Sequence, residues 1–296
     1  MEKQHISFFD AISANKRNSL LLLILISFLY AGVIFAFSYL LGIDPVLTSI
    51  LGFILLIIYA VISFYAGDRV ILAIAGAKEA KKSEHPFLYN VVEGLSIASG
   101  IPMPKLYVVN DSAPNAFATG RDPKHASVAV TTGLLQMLKR EELEGVIAHE
   151  ISHIANYDIR FMMVTVVFVG AIGLLANIGA RTLFYGGGNR DRKGGGTLAI
   201  ISIIFLILAP IIAMLVRFAI SRQREYLADA NGARLTRYPE GLASALEKIT
   251  NAGMETRGAT DTTASLYIAN PFPRKMSFLT ATHPAPTDRI KRLRAM

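Results

Sequence analysis

The sequence predicts a mainly α-helical integral membrane protein in which four membrane-associated apolar helices carry a cytoplasmic α+β domain with a small β-sheet. Three observations lead there: four long uncharged stretches, lysines and arginines that flank the first two of them on one side, and a polar remainder in which strand-like and helix-like patterns alternate. Of 296 residues, 52% are apolar and only 18% charged, with a mean hydropathy of +0.43, so neither a disordered chain nor an ordinary soluble domain fits. The net charge of +8 is assigned to a lipid bilayer surface and not to nucleic acid, because no basic run is interleaved with aromatic residues. The chain has no cysteine, which removes disulfides, thiol nucleophiles and thiolate metal sites; any metal must be held by histidines and carboxylates.

Ser19 to Leu41 contains 23 residues without a charge, and at 1.5 Å per residue it covers about 34 Å, enough for a hydrocarbon core of about 30 Å. Gly42 to Pro45 reads as a turn, and Val46 to Ala66 gives a second span ending at Gly67-Asp68-Arg69. Phe161 to Ala180 and Thr197 to Val216 are two further 20-residue stretches of spanning length, which a soluble core could also bury. Lys3, Lys16 and Arg17 precede the first span and Arg69, Lys78, Lys81 and Lys82 follow the second, placing the N-terminus and the polar body in the cytoplasm. The loop carrying Arg181, Arg190, Arg192 and Lys193 runs against that rule, and its two glycine triplets read as flexible linker. The chain therefore divides into an N-terminal tail and first hairpin (1–68), a first polar block (69–160), a second hairpin (161–216) and a second polar block (217–296).

Within the polar blocks, His85 to Ser99 is helix-like and closes at Gly100, while Lys105–Asn110, Asn115–Thr119 and Ser127–Thr131 are strand-like and predict the small sheet. Asn115, Ala116, Phe117 and Ala118 read either as an edge that pairs with an extended protein substrate or as an interior strand with Phe117 in the core. Met254 to Ala264 reads as a mobile loop, and Arg289 to Arg294 as a solvated helix face or a contact to anionic lipid.

After Gly133 the pattern turns helical, and Leu143, Val146, Ile147, Ile151 and Ile154 recur at three- and four-residue intervals. That helix contains His149-Glu150-Ile151-Ser152-His153. On a helix, i and i+4 share a face, so both imidazoles can meet one Zn2+ ion while Glu150 reaches a water beside it. A catalytic zinc takes a third protein ligand. His5, His85, His125 and His283 are open to that role, and so are Glu225 and Asp229, which share a helix face just after the fourth apolar stretch. One of those carboxylates would bind the metal and the other would receive an imidazole N–H.

These residues resemble the HtpX-like membrane zinc proteases, which are related to the CAAX prenyl endopeptidases. The resemblance covers the N-terminal hairpin, Pro114 to Gly120, the H-E-x-x-H run into Asn156 and Asp158, the E-x-x-x-D at Glu225 to Asp229, and His283-Pro284 followed by Arg289. It implies a zincin-like domain with one zinc per chain on His149, His153 and Glu225, Glu150 as general base and Asp229 behind the ligands. It also implies His283 as a donor to the developing oxyanion, a cytoplasmic-facing site in the bacterial inner membrane, and clearance of damaged membrane proteins. A scaffold or holdase with a structural zinc is the competing expectation; an intact Glu150 beside the first ligand argues for hydrolysis. A metal transporter is disfavoured because the four stretches contain no His, Asp, Glu, Lys or Arg.

Overall fold

The computed structural model describes residues 44–166, 222–260, 263–273 and 284–296, with six helical positions between 13 and 28. Most of the first apolar stretch, the third beyond 166, the fourth, the basic glycine loop and His283 lie outside the described residues. Helix α1 (Pro45–Ile74) starts where Asp44 Oδ1 accepts the N–H groups of Val46 and Leu47 at 2.8 and 3.1 Å. Pro45 sits in the first turn, where its missing N–H is not needed. Val46, Leu51, Phe53, Leu55 and Ile62 all stand exposed, and among the described residues this is the one helix long and apolar enough to cross a membrane.

The sequence ends that span at Ala66, whereas α1 runs about two turns further, through Gly67-Asp68-Arg69. Ile71 and Leu72 explain the extension, since they are buried beneath the sheet with Phe117, Ala129 and Tyr267. Where apolar exposure gives way to burial, the Arg121 guanidinium lies 5.0 Å from the Tyr65 ring centre and Arg160 lies 5.7 Å from that of Phe64. Arginine over an aromatic ring combines charge with an apolar face, as suits a residue between two solvents.

The sheet has four strands, β1 (Ala77–Glu79), β2 (Lys105–Val109), β3 (Ala116–Gly120) and β4 (Ala126–Thr131), in the order β1-β2-β4-β3. β2 and β4 are parallel and the other pairs antiparallel. Sequence patterning misses β1 because three residues are too few to show alternation. α2 (Pro86–Ser99), closed by Gly100 at φ 71°, lays Leu88, Val92 and Leu95 on one sheet face against Leu106, Val128 and Val130. Val109, Phe117 and Ala129 point the other way, onto Ile71, Met162 and Met163. With both faces covered, β3 and β4 carry unbroken runs of buried residues instead of a polar alternation. The third apolar stretch also starts inside the fold, with Phe161, Met163, Val164 and Val166 buried.

After the short α3 (Thr132–Met137), helix α4 (Arg140–Ala155) runs through the middle of the domain, buried almost throughout. At its start the Glu142 carboxylate accepts the Lys139 N–H at 2.8 Å and the Lys248 ammonium at 2.8 Å, which ties α4 to α6 (Pro239–Ala252). α5 (Arg222–Thr236) and α7 (Pro286–Leu293) complete the helical layer. Two glycines allow the close crossings. A Cβ on Gly145 would stand 2.6 Å from the Leu242 nitrogen, and one on Gly232 would stand 3.1 Å from the His149 nitrogen.

Met254 to Ala264 is expected to be a mobile loop, but its described part is fastened. Thr256 and Thr263 are buried, Arg257 N–H donates to Asp111 Oδ2 at 2.7 Å, and Thr256 N–H donates to Pro271 O at 3.0 Å. Threonine hydroxyls and backbone groups are satisfied locally here, so a polar composition does not mean a solvated segment.

Gly145→Ala tests the crossing of α4 and α6. Alanine gains about 1 kcal/mol of helix propensity, but its Cβ meets backbone atoms that cannot rotate away, an overpacking cost of about 1–3 kcal/mol or more. A lower melting temperature in detergent is expected; an unchanged or higher one would show that the crossing has room.

Candidate metal centre

His149 and His153 stand one turn apart on α4, and their Nε2 atoms approach to 3.1 Å. Gly232, seven residues beyond Glu225, brings α5 against the backbone of α4 at that level and so delivers Glu225 to both imidazoles. Glu225 Oε2 lies 3.7 Å from His149 Nε2, and Oε1 lies 3.5 Å from His153 Nε2. Tetrahedral zinc with bonds of about 2.0–2.1 Å sets its ligand atoms about 3.4 Å apart, the middle of the observed range. All three residues are buried, and Glu150 beside them has its Oε1 buried without a hydrogen-bond partner. The donor set and that orphaned oxygen both fit a zinc ion with an adjoining water.

Each imidazole is turned by a carboxylate behind it. His149 Nδ1–H donates to Asp229 Oδ1 at 2.9 Å, and His153 Nδ1–H donates to Asp158 Oδ2 at 2.9 Å, which leaves both Nε2 atoms facing the metal position. Asp158 reaches back because the helix breaks at Asn156 and Tyr157, the latter in the left-handed region at φ 61°. Asp229 is gripped by Arg289, whose Nε and Nη2 donate to Oδ2 and Oδ1 at 2.9 and 2.7 Å. The whole Arg289 side chain is buried, at 2% exposure.

Burial pushes His149 down to about 4, and the Arg289 charge acts in the same direction. Burial alone would lower His153 too, but the Asp158 hydrogen bond and the Glu225 charge carry it up to about 9. Burial raises Glu150 to about 7. For Asp229 burial is outweighed by Arg289 and His149, which hold it below the usual carboxylate range.

Of the other candidate ligands, His125 is an exposed partner of Asp122 at 2.8 Å and His85 opens α2, both away from the cluster; His5 and His283 lie outside the described residues. Asn115 is buried, and its amide donates to Thr256 Oγ1 and Ala269 O, each at 3.2 Å. Ala116, Phe117 and Ala118 are buried in the terminal strand of the sheet, and Tyr267 pairs with Phe117 across its outer side. Sequence reasoning assigned no role to Asp158, although an acidic residue five positions after a ligating histidine was a usable signal. It also misplaced Arg289, expected on a solvated or lipid-facing surface. Lys291, Arg292 and Arg294 are exposed as expected, Arg294 pairing with Glu240 and Glu247; Arg289 turns inward because a buried Asp229 needs a counter-charge.

With His153 raised to about 9 and His149 lowered to about 4, the metal-free site at pH 7 holds His153 as imidazolium and His149 as neutral imidazole, so titrating zinc into the apoprotein should release about one proton per ion. Calorimetry in buffers of different ionisation heat measures this directly. Zinc uptake without proton release would contradict the assigned environment of His153.

The profile of Peptidase family M48 matches residues 82–296. A Protease HtpX homolog of Dictyoglomus thermophilum is 51% identical over 98% of this chain and 95% of its own length. One from Thermoanaerobacter pseudethanolicus is 52% identical over 82% of this chain and 83% of its own. The crystal structure of S. mikatae Ste24p aligns with a TM-score of 0.50 at 20% identity, covering 88% of this chain and 61% of that one, a similarity of fold. With the cluster of His149, His153 and Glu225, these matches settle the family: the chain belongs to peptidase family M48, among the HtpX homologues, and is a zinc metallopeptidase.

Proposed function

We propose that this metallopeptidase is a membrane-embedded endopeptidase that hydrolyses misfolded or damaged membrane proteins from the cytoplasmic side of a bacterial inner membrane. The observation that carries this reading is the course of α1. Its first part is apolar and exposed, and its last turns bury Ile71 and Leu72 under the sheet whose other face packs on the zinc-binding helix. The site therefore stands on a membrane helix, and polypeptide emerging from the bilayer is its nearest substrate. In this reading 1–68 and 161–216 hold the membrane hairpins, with Phe161 to Val166 still packed in the one catalytic body that 69–160 and 217–296 form.

Zinc, when bound by His149, His153 and Glu225, polarises the scissile carbonyl and acidifies water. Glu150 takes the proton from the attacking water and delivers it to the leaving amine. Its elevated pKa near 7 balances the two duties, because half of the groups are ionised near neutral pH. Asp229 and Asp158 keep the imidazoles in the tautomer that leaves Nε2 available. His283, which precedes the buried Pro284, is assigned as donor to the oxyanion, and the Asn115–Ala118 strand as the edge against which substrate lies extended.

Detergent-purified protein and an unfolded test protein such as β-casein suffice to test this. Glu150→Gln should keep its zinc and lose about 10²–10⁴-fold in kcat, the range for a general base. His283→Ala should lose about 10²-fold in kcat with KM unchanged. A Glu150→Gln enzyme that cleaves at the wild-type rate would overturn the mechanism, and an unaffected His283→Ala enzyme would remove His283 from it.

A further inference from the structure

Away from the metal centre, a cavity of about 470 Å³ opens between the end of α2 at 99–102, the turn at 122–124 and the chain just past α4, at Tyr157 and Arg160. Arg160 sets its height against the bilayer. That side chain lines the cavity, its guanidinium rests 5.7 Å from the ring centre of Phe64 on α1, and its Nε donates at 2.6 Å to the carbonyl of Arg121, which itself covers Tyr65. Phe64 and Tyr65 stand about one turn before Asp68 and Arg69 bring charge into α1, the level at which aromatic side chains meet lipid headgroups.

The charges around the cavity are those of an anion site. Arg121, Lys124 and Arg160 face one carboxylate, Asp122, which is engaged by its own turn: it accepts the N–H groups of Lys124 and His125 and lies 2.8 Å from His125 Nδ1 and 3.7 Å from Arg121 Nε. Among the described residues neither Lys124 nor Arg160 has a carboxylate partner, although Arg160 is half-buried. Phosphate satisfies a guanidinium fork and an ammonium together. A bare dianion, however, is repelled by the helix C-termini that reach the cavity at Ser99 and Ala155, whose carbonyl ends favour hydroxyl donors. Apolar side chains flank the same mouth. Ile97 is 78% exposed, more than any described large apolar residue of α1, and Met103 is 40% exposed on the other side of the lining run 99–102. Apolar tips with cations behind them suit the boundary between headgroups and acyl chains.

We propose that this cavity is a headgroup site for an anionic glycerophospholipid. Arg160 and Lys124 hold the phosphate, headgroup hydroxyls reach the carbonyl ends of α2 and α4, and Ile97 and Met103 enter the acyl boundary beside them. This rests on the membrane reading above and names the lipid that its catalytic body grips. The zinc helix is then pinned to the bilayer at its C-terminal end, about 24 Å from its start.

The chain has no tryptophan, so single-tryptophan variants report position without background. Full-length, zinc-loaded protein is placed in phosphatidylcholine bilayers with a fixed minority of phosphatidylglycerol, and either that lipid or an equal amount of phosphatidylcholine is brominated high on its acyl chains. Ile97→Trp, or Met103→Trp if the first variant does not fold, should be quenched at least twofold more strongly by the brominated phosphatidylglycerol. Tyr238→Trp, beside Glu141 at the far end of α4, should be quenched by neither lipid. Adding Lys124→Gln and Arg160→Gln should erase the preference. Equal quenching by the two lipids, or a preference that survives both substitutions, would overturn the proposal. So would loss of the preference to inorganic phosphate at constant ionic strength, which would make the cavity a site for free phosphate. Leu55→Trp, on the exposed part of α1, separates the two levels of the argument. Quenched by bromines deep in the chains, it upholds the membrane reading whatever Ile97→Trp does; unquenched, it overturns that reading and the headgroup site together.

Discussion

Burial of seven ionisable groups in one place is the constraint to which the rest of this structure answers. His149, Glu150, His153, Asp158, Glu225, Asp229 and Arg289 are each at most 4% exposed, and an uncompensated charge at that depth would be prohibitive. The compensation is a chain of pairs: Arg289 with Asp229, Asp229 with His149, Asp158 with His153, and Glu225 between both imidazoles. Three stretches of sequence must converge for these pairs to form, α4, α5 and the C-terminal α7. Gly232 permits the close approach of α5 to α4, and Gly145 lets α6 pack on the same helix; a methyl group at either would press on the neighbouring backbone.

The zinc helix is also where the membrane and the chemistry meet. One face of the sheet packs on α4 and the other on the top of α1, so the sheet is the plate between the apolar helix and the site. The left-handed Tyr157 ends α4 just after its metal ligands, and the chain re-enters helix at 158–166 with Asp158 turned back to His153. A single break thus serves two ends. It supplies the carboxylate behind a ligand and redirects the chain into the third apolar stretch.

What the residues disclosed in advance was local and periodic: the histidine pair on a helix, the carboxylate pair at i and i+4, and three of the four strands. These signals survive because each is carried by a few neighbouring positions. What stayed hidden was long-range. The role of Arg289 depends on Asp229, 60 positions earlier, and in its own helix it resembles the surface arginines beside it, such as Arg294. The extension of α1 beyond Gly67 depends on a sheet that the helix cannot announce. Met254 to Ala264 reads as a loop because sequence shows its composition and not the buried partners, Asp111 and Asn115, that fasten Thr256 and Arg257.

The central claim is that two imidazoles and one carboxylate, oriented from behind by Asp229, Asp158 and Arg289, form the zinc site. X-ray absorption at the zinc edge of the purified protein addresses it most directly. The account predicts a four-coordinate ion with light-atom bonds of about 2.0–2.1 Å and the scattering signature of two imidazoles. A third imidazole in the shell, or a six-coordinate shell of oxygens, would contradict it.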